Sequence, residues 1–175
     1  MSFPSWIYFP TSAAPPAWVV EFVAVVAAQE DAISSAATAG LTSDSVLAEL
    51  RGGLTQLGFS VEVSKKRVDK IRRPVLFGEQ GSERVAYEVD AYHDELGIVV
   101  EVEAGRGAMG NAVYRDLIRS SLIVGARYLA LGVMLEYRYS KSMTQSYRDA
   151  KDLLEAVYAS GRLQFPFEGV LLFGY

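Results

Sequence analysis

Two hydrophobic periods alternate along this chain, and the points where one gives way to the other outline its elements. From Trp18 to Ala27, apolar residues cover most of the circumference of a helix that opens after Pro15-Pro16 and is expected to run to about Ala36. A helix so apolar is buried on more than one side, so a contact with a second copy is expected there. Thr42-Ser43-Asp44 is a helix start, followed by Val46, Leu47, Leu50, Leu54 and Leu57 at helical spacing, with Gly52-Gly53 a weak point inside. Residues 59–64 alternate as a strand and 75–77 as a shorter one. The most regular stretch is 85–103. Val99, Glu101 and Glu103 share one strand face, Ile98, Val100 and Val102 the other. Before them Ala86, Glu88, Asp90 and Tyr92 share a face, with Tyr87, Val89 and Ala91 opposite. Asp94-Glu95-Leu96-Gly97 between the two runs reads as a tight turn. That hairpin sets Asp90 across from Glu101 and Glu88 across from Glu103. A helix over 111–124 is then expected to turn Tyr114, Leu117, Ile118 and Leu122 inward, and Asn111, Arg115 and Arg119 outward. An apolar buried-type strand at 127–135, a helix at 142–160 and a strand at 168–175 complete the series. The order predicts an α/β chain with a mixed (α+β) central sheet flanked by helices. One domain is expected over 17–175, preceded by an extended arm over 1–16 rich in Pro, Ser and aromatics.

Composition narrows the setting. Half of the 175 residues are hydrophobic, enough for one substantial core. The absence of cysteine rules out disulfides and thiolate metal sites and suits the cytoplasm. No Lys or Arg precedes Arg51, so no secretory leader is expected. The apolar run at 17–28 carries Glu21 and is shorter than the about 20 residues a membrane span needs. No membrane partner is expected. The formal net charge of −4 conceals a polarity: residues 62–73 hold Lys65, Lys66, Arg67, Lys70, Arg72 and Arg73 against Glu62 and Asp69, a local +4 that leaves −8 elsewhere. Such a molecule can take a polyanion on one side while its carboxylates collect metal nearby. A solvated basic loop is the plain alternative.

The acidic hairpin is the principal candidate for chemistry. Directly opposed residues on one face sit about 4.5–5.5 Å apart, and like charges there are destabilising. Four facing carboxylates call for a cation, a proton or another register, and a hard divalent ion is the simplest neutraliser. Other constellations compete. Gly105-Arg106-Gly107-Ala108-Met109-Gly110 matches G-x-G-x-x-G between a strand and a helix, the pattern of a dinucleotide site. The strand feeding it ends in Glu101-Val102-Glu103, unlike an apolar central parallel strand, and only 65 residues follow. The lone His93 is open to metal binding, proton shuttling or a plain turn role. Tyr137, Tyr139 and Tyr147 interleave with Arg138, Lys141 and Arg148, as in a nucleic-acid groove or an ordinary helix approach. No P-loop or nucleophile elbow is present.

Asp90, ten residues, then Glu101-Val102-Glu103, on a hairpin followed by a helix and a buried strand, resembles the motif of the PD-(D/E)xK nuclease superfamily. Glu-x-Glu in place of Glu-x-Lys, and Tyr-Arg-Asp-Leu-Ile-Arg-Ser over 114–120, are similar to the BamHI/BglII branch of type II restriction endonucleases. The resemblance covers about residues 85–134, with the helix at 43–57 more loosely. Val89 stands where the motif has proline, and the chain is short for that branch. The resemblance implies a restriction-endonuclease-like core and Mg²⁺- or Mn²⁺-dependent hydrolysis of phosphodiester bonds in double-stranded DNA by a homodimer. It further implies that Asp90 and Glu101 ligate the metal, with the Val102 backbone carbonyl as a further ligand. Glu103 stands in the lysine position and would orient or deprotonate water, or hold a second metal. Glu88 has no counterpart in the motif, and only strand pairing places it nearby. On this view Lys65, Lys66, Arg67, Lys70, Arg72 and Arg73 meet backbone phosphates, while Arg106, Asn111, Arg115 and Arg119 lie near the cleaved bond or read bases. Two other readings remain: an inactive nuclease-fold module that binds DNA or protein, and a nucleotide-binding protein using the glycine-rich turn.

Overall fold

A computed structural model of the protein describes residues 3–105, 111–139 and 142–175. Its elements run β1 (Ser5–Phe9), α1 (Ala17–Ala27), a short α2 (Glu30–Ile33), α3 (Ser43–Gln56), β2 (Ser60–Val61), β3 (Ile71–Phe77), β4 (Glu83–Val89), β5 (Ala91–His93), β6 (Ile98–Glu103), α4 (Ala112–Ser121), β7 (Tyr128–Val133), β8 (Tyr137–Tyr139), β9 (Ser142–Thr144), α5 (Ser146–Ser160) and β10 (Gly169–Gly174). Six strands form one mixed sheet in the order β1-β10-β7-β6-β5-β2. The central three, β10, β7 and β6, are parallel, while β1, β5 and β2 join antiparallel. The mixed sheet flanked by helices is the class that the hydrophobic pattern predicts. Two small ribbons, β3–β4 and β8–β9, stand apart from it.

The period of two in β6 assigns its residues to two different cores. Ile98, Val100 and Val102 enter a layer with Trp18, Val19, Phe22 and Val26 of α1 and Val46, Leu47, Leu50 and Leu54 of α3. Val99 enters the other layer, with Val113 and Leu117 of α4 and Ala150 and Leu154 of α5. Glu101 and Glu103 continue the face of Val99 and so emerge on the α4 side. Phe22 links helix to sheet, its ring 5.3 Å from Phe173 and 5.9 Å from Phe59. Burying a side chain of that size contributes about 1.5–3 kcal/mol. Thr42 caps α3 by accepting from the Ser45 N–H at 3.1 Å, and Ser45 returns the bond in a capping box. Gly53 is where α1 crosses α3: a Cβ there would lie 2.5 Å from Val25 Cγ1. The face of α1 with Trp18, Val19, Phe22 and Val26 is thus buried within the chain, while Val20 on its outer side is 60% exposed.

Several boundaries differ from expectation. The segment expected as an extended arm outside the domain contributes a strand, Ser5–Phe9, paired in the sheet beside β10. The first helix ends at Ala27, and α2 follows. Only Ser60–Val61 of the strand expected at 59–64 is paired. The last helix begins at Ser146, because Ser142–Thr144 pairs with Tyr137–Tyr139 instead. In α4 the inward residues are Ala112, Val113, Asp116, Leu117 and Ser120. Tyr114, Ile118 and Leu122, expected inward, are 52%, 48% and 48% exposed. The helix turns its polar Asp116 to the sheet because partners for it wait there. Among the described residues no helix is long and apolar enough to cross a membrane.

Candidate active site

Asp90 marks the place where one long strand becomes two. Up to Val89 the chain pairs with β3, Ile71 opposite Val89 and Arg72 opposite Glu88. After Asp90 it joins the main sheet, with Ala91 opposite Val100, Tyr92 opposite Val99 and His93 opposite Ile98. That register, extended by one residue, brings Asp90 to Glu101, as the alternation predicts. The turn is the expected one: Gly97 has φ +65, and a Cβ on it would collide with the Gly125 carbonyl. Glu88 does not follow. It leaves with the β3–β4 ribbon, half-exposed and 3.8 Å from Lys70 Nζ, so its expected place across from Glu103 is corrected. The cause is the change of partner strand at Asp90.

Three expected acids gather on one side of the sheet, and a fourth joins them from α4. Asp90 Oδ2 accepts a 2.7 Å hydrogen bond from the Val102 N–H. Burial outweighs that bond and pushes the Asp90 carboxyl up to about 6, helped by the charges of Glu62 and Asp116. Glu101 makes no side-chain hydrogen bond or ion pair among the described residues. Desolvation first, then the charges of Asp90 and Asp116, raise it well above the ordinary carboxylate range, with Arg119 the opposing influence. Glu103 is ion-paired with Arg115, whose Nε also donates to Asp116 Oδ1 at 3.0 Å. Burial, and a hydrogen bond with the Asp116 carboxylate, push Glu103 up to about 8. Asp116 is fully buried. The Glu103 carbonyl accepts from the Tyr175 hydroxyl at 2.8 Å, which fixes the end of β6.

The donor set is all oxygen and its charge is under-compensated, which suits a hard divalent cation. Asp90 and Glu101 are the residues that would hold it, because Glu103 is already engaged by Arg115. Among the described residues, however, no three acidic or His side chains stand ready around a common point. Of Val102 the contact seen is its N–H to Asp90. His93 is a packed turn residue: Nδ1 accepts from the Leu96 N–H at 3.3 Å and the ring meets Phe59 edge-on at 5.0 Å.

The expected phosphate contacts divide into two groups. Lys70 grips buried Glu62 through both oxygens at 2.8 and 2.9 Å, and Lys65 reaches Asp44 at 2.6 Å and Glu62 at 3.4 Å. Arg72 pairs with Glu83 and Arg73 with Asp94, the latter also lying over the Tyr92 ring. Lys66 and Arg67 are exposed and make no ion pair among the described residues. Arg119 lies over the Tyr87 ring at 4.9 Å and donates to the Glu88 carbonyl, bracing the ribbon to α4. Asn111 is exposed at the start of α4. Arg106 and Lys141 lie outside the described residues, as does the glycine-rich turn beyond Gly105.

Sequence reasoning missed Asp116 and Glu62. The signal for Asp116 was a polar residue at helical spacing between Ala112, Val113, Leu117 and Ser120. Glu62 offered only its place in a strand. Comparison with family models, with curated proteins and with solved structures returned no match.

Proposed function

We propose that the protein is a divalent-metal-dependent nuclease that hydrolyses phosphodiester bonds of double-stranded DNA. One observation carries the reading: Asp90 and Glu101 meet at the root of a hairpin, desolvated, mutually repelling, with no cation among the described residues ion-paired to Glu101. Folding does not retain so costly an arrangement for stability, and the cost is relieved when a doubly charged ion enters. When bound, the ion would polarise a phosphoryl oxygen and lower the pKa of attacking water. The chain's own residues do the rest. The Val102 N–H holds the Asp90 carboxylate in place. Glu103, poised near neutrality beside Asp116, accepts a proton from water at its carboxyl oxygen and passes it to solvent. Arg115 orients that pair and offers charge to a phosphate. Lys66 and Arg67, exposed and without an ion pair among the described residues, meet the backbone further along.

Nicking of supercoiled DNA in Mg²⁺ is the test. Asp90→Asn and Glu101→Gln should each lower the rate at least a thousandfold while leaving duplex binding in EDTA within threefold. Cleavage by Asp90→Asn at the wild-type rate would remove the assignment. A second reading is favoured by the closed Arg115–Glu103–Asp116 contact: a nuclease-fold module that binds DNA without cutting it. It predicts intact DNA at every Mg²⁺ and Mn²⁺ concentration with undiminished duplex binding.

A further inference from the structure

Two hollows open beside one another past the carboxyl end of β7, and neither belongs to the carboxylate cluster. The first, about 410 Å³, is walled by residues 35–41, Gly105, Met134, Tyr137 and Arg138. The second, about 470 Å³, is walled by Gln145, Tyr147, Arg148 and Lys151. Ala36 and Glu136 line both, so the two adjoin. The first includes Gly105, two residues past Glu103, so one of its walls continues the strand that carries the acids. Glycines bring the tyrosines close. A Cβ on Gly105 would lie 3.6 Å from the Tyr137 ring, and one on Gly174 would lie 2.7 Å from that of Tyr147.

The charge along this path is positive. Glu136, the acid between the hollows, is paired with Arg138 at 3.1 Å. Lys151 shares the exposed Glu155 at 3.4 Å. Arg148 is exposed and has no acid partner among the described residues. Cations alternating with aromatic faces are the chemistry that holds a single nucleic-acid strand: phosphates on the cations, bases on the rings. Each hollow falls in the size range of small-molecule sites, a few hundred Å³. A duplex keeps its bases stacked inside and offers no free ring to either hollow. An acidic peptide would leave the tyrosine walls unused.

We infer that the adjoining hollows seat an unpaired nucleic-acid strand, so that the preferred substrate carries a single-stranded extension next to the cut. This rests on the nuclease reading for its cut and on the hollows alone for its binding. The test uses the full chain in EDTA, where no cleavage intervenes, and a fluorescein-labelled oligothymidylate. Arg148→Glu with Lys151→Glu should weaken oligothymidylate binding at least tenfold at about 100 mM salt. It should also lower the slope of log K against log salt by about 1.4, the value for two phosphates lost from a single strand. Blunt-duplex binding should fall less than threefold, and the melting temperature should fall by no more than about 2 °C, the cost of the lost Lys151–Glu155 pair on an exposed helix face. Equal oligothymidylate binding by wild type and variant overturns the inference, and so does a polyglutamate peptide that competes as well as the oligonucleotide. Cleavage is not part of this readout. A protein that binds the strand in the hollows and cuts nothing upholds the hollows and overturns the nuclease reading alone.

Discussion

Two carboxylates flank Asp90, and the chain treats them in opposite ways. Glu62, just past β2, is 5% exposed and is neutralised by Lys70 at two oxygens, with Lys65 nearby. Glu101, on β6, faces Asp90, Asp116 and Glu103, and among the described residues no cation forms an ion pair with it. Both lie beside the same strand root, and the same fold encloses both. What separates them is compensation. Glu62 is a finished ion pair whose role is to hold the basic segment to the sheet. Glu101 has no such partner among the described residues, and on the proposed reading the ion that completes it enters from outside.

Breaking the finished pair should produce the largest change in stability. Lys70→Ala leaves Glu62 buried without its main partner and should destabilise by about 3 kcal/mol, a fall in melting temperature of about 5–10 °C. Thermal unfolding in low salt measures it. A fall under about 1 °C would mean that Lys65 alone neutralises Glu62, and the contrast between the two acids would weaken.

Identical amide substitutions should then move stability in opposite directions. Glu62→Gln strands Lys70, which is 12% exposed at the side chain, and should lower the melting temperature by about 3–5 °C. Glu101→Gln removes a buried carboxylate that Asp90, Asp116 and Glu103 repel and Arg119 opposes, and should raise it by about 2 °C at pH 8. A loss of stability in Glu101→Gln would show that the carboxylate is compensated after all.

The contrast could be half foreseen from the residues. The register of β5 on β6 was legible because strict alternation on both sides of Asp94–Gly97 permits one pairing that buries Val99 and Ile98 on their proper faces. The sharing of Asp90 and Glu101 followed from that register. The fate of Glu88 was not legible, since nothing local says that a continuous alternation will change partners at Asp90. The commitments of Lys70, Lys65 and Arg73 were equally hidden: their acids lie 8, 21 and 21 residues away in Glu62, Asp44 and Asp94, and sequence proximity does not encode such contacts. The facing of α4 was misread for a definite reason. Tyr114, Ile118 and Leu122 form a regular apolar stripe, yet Val113 and Leu117 form another, and Arg115 with Glu103 makes it possible to bury Asp116 beside the second.

The smallest effect is also the one that speaks most directly to the cation. Asp90 is raised from 3.8 to about 6 and Glu103 from 4.5 to about 8, so across those intervals the folded protein holds protons that the unfolded chain has released. Stability from this source is complete below the unfolded values and is lost as pH rises through the folded ones. The melting temperature should therefore decline between about pH 4 and 8. Asp90→Asn should flatten the lower part of that decline and Glu103→Gln the upper part. A divalent ion competes with those protons for the same oxygens. Millimolar Ca²⁺, which binds without supporting turnover, should raise the melting temperature at pH 8 and leave it unchanged at pH 5, where the carboxyls carry protons. The rise should vanish in Glu101→Gln and persist in Glu62→Gln, because the acid that already has its lysine has nothing to offer a metal. A rise of equal size in all three proteins would place the ion elsewhere. No rise in any of them would favour the module that binds DNA without cutting it.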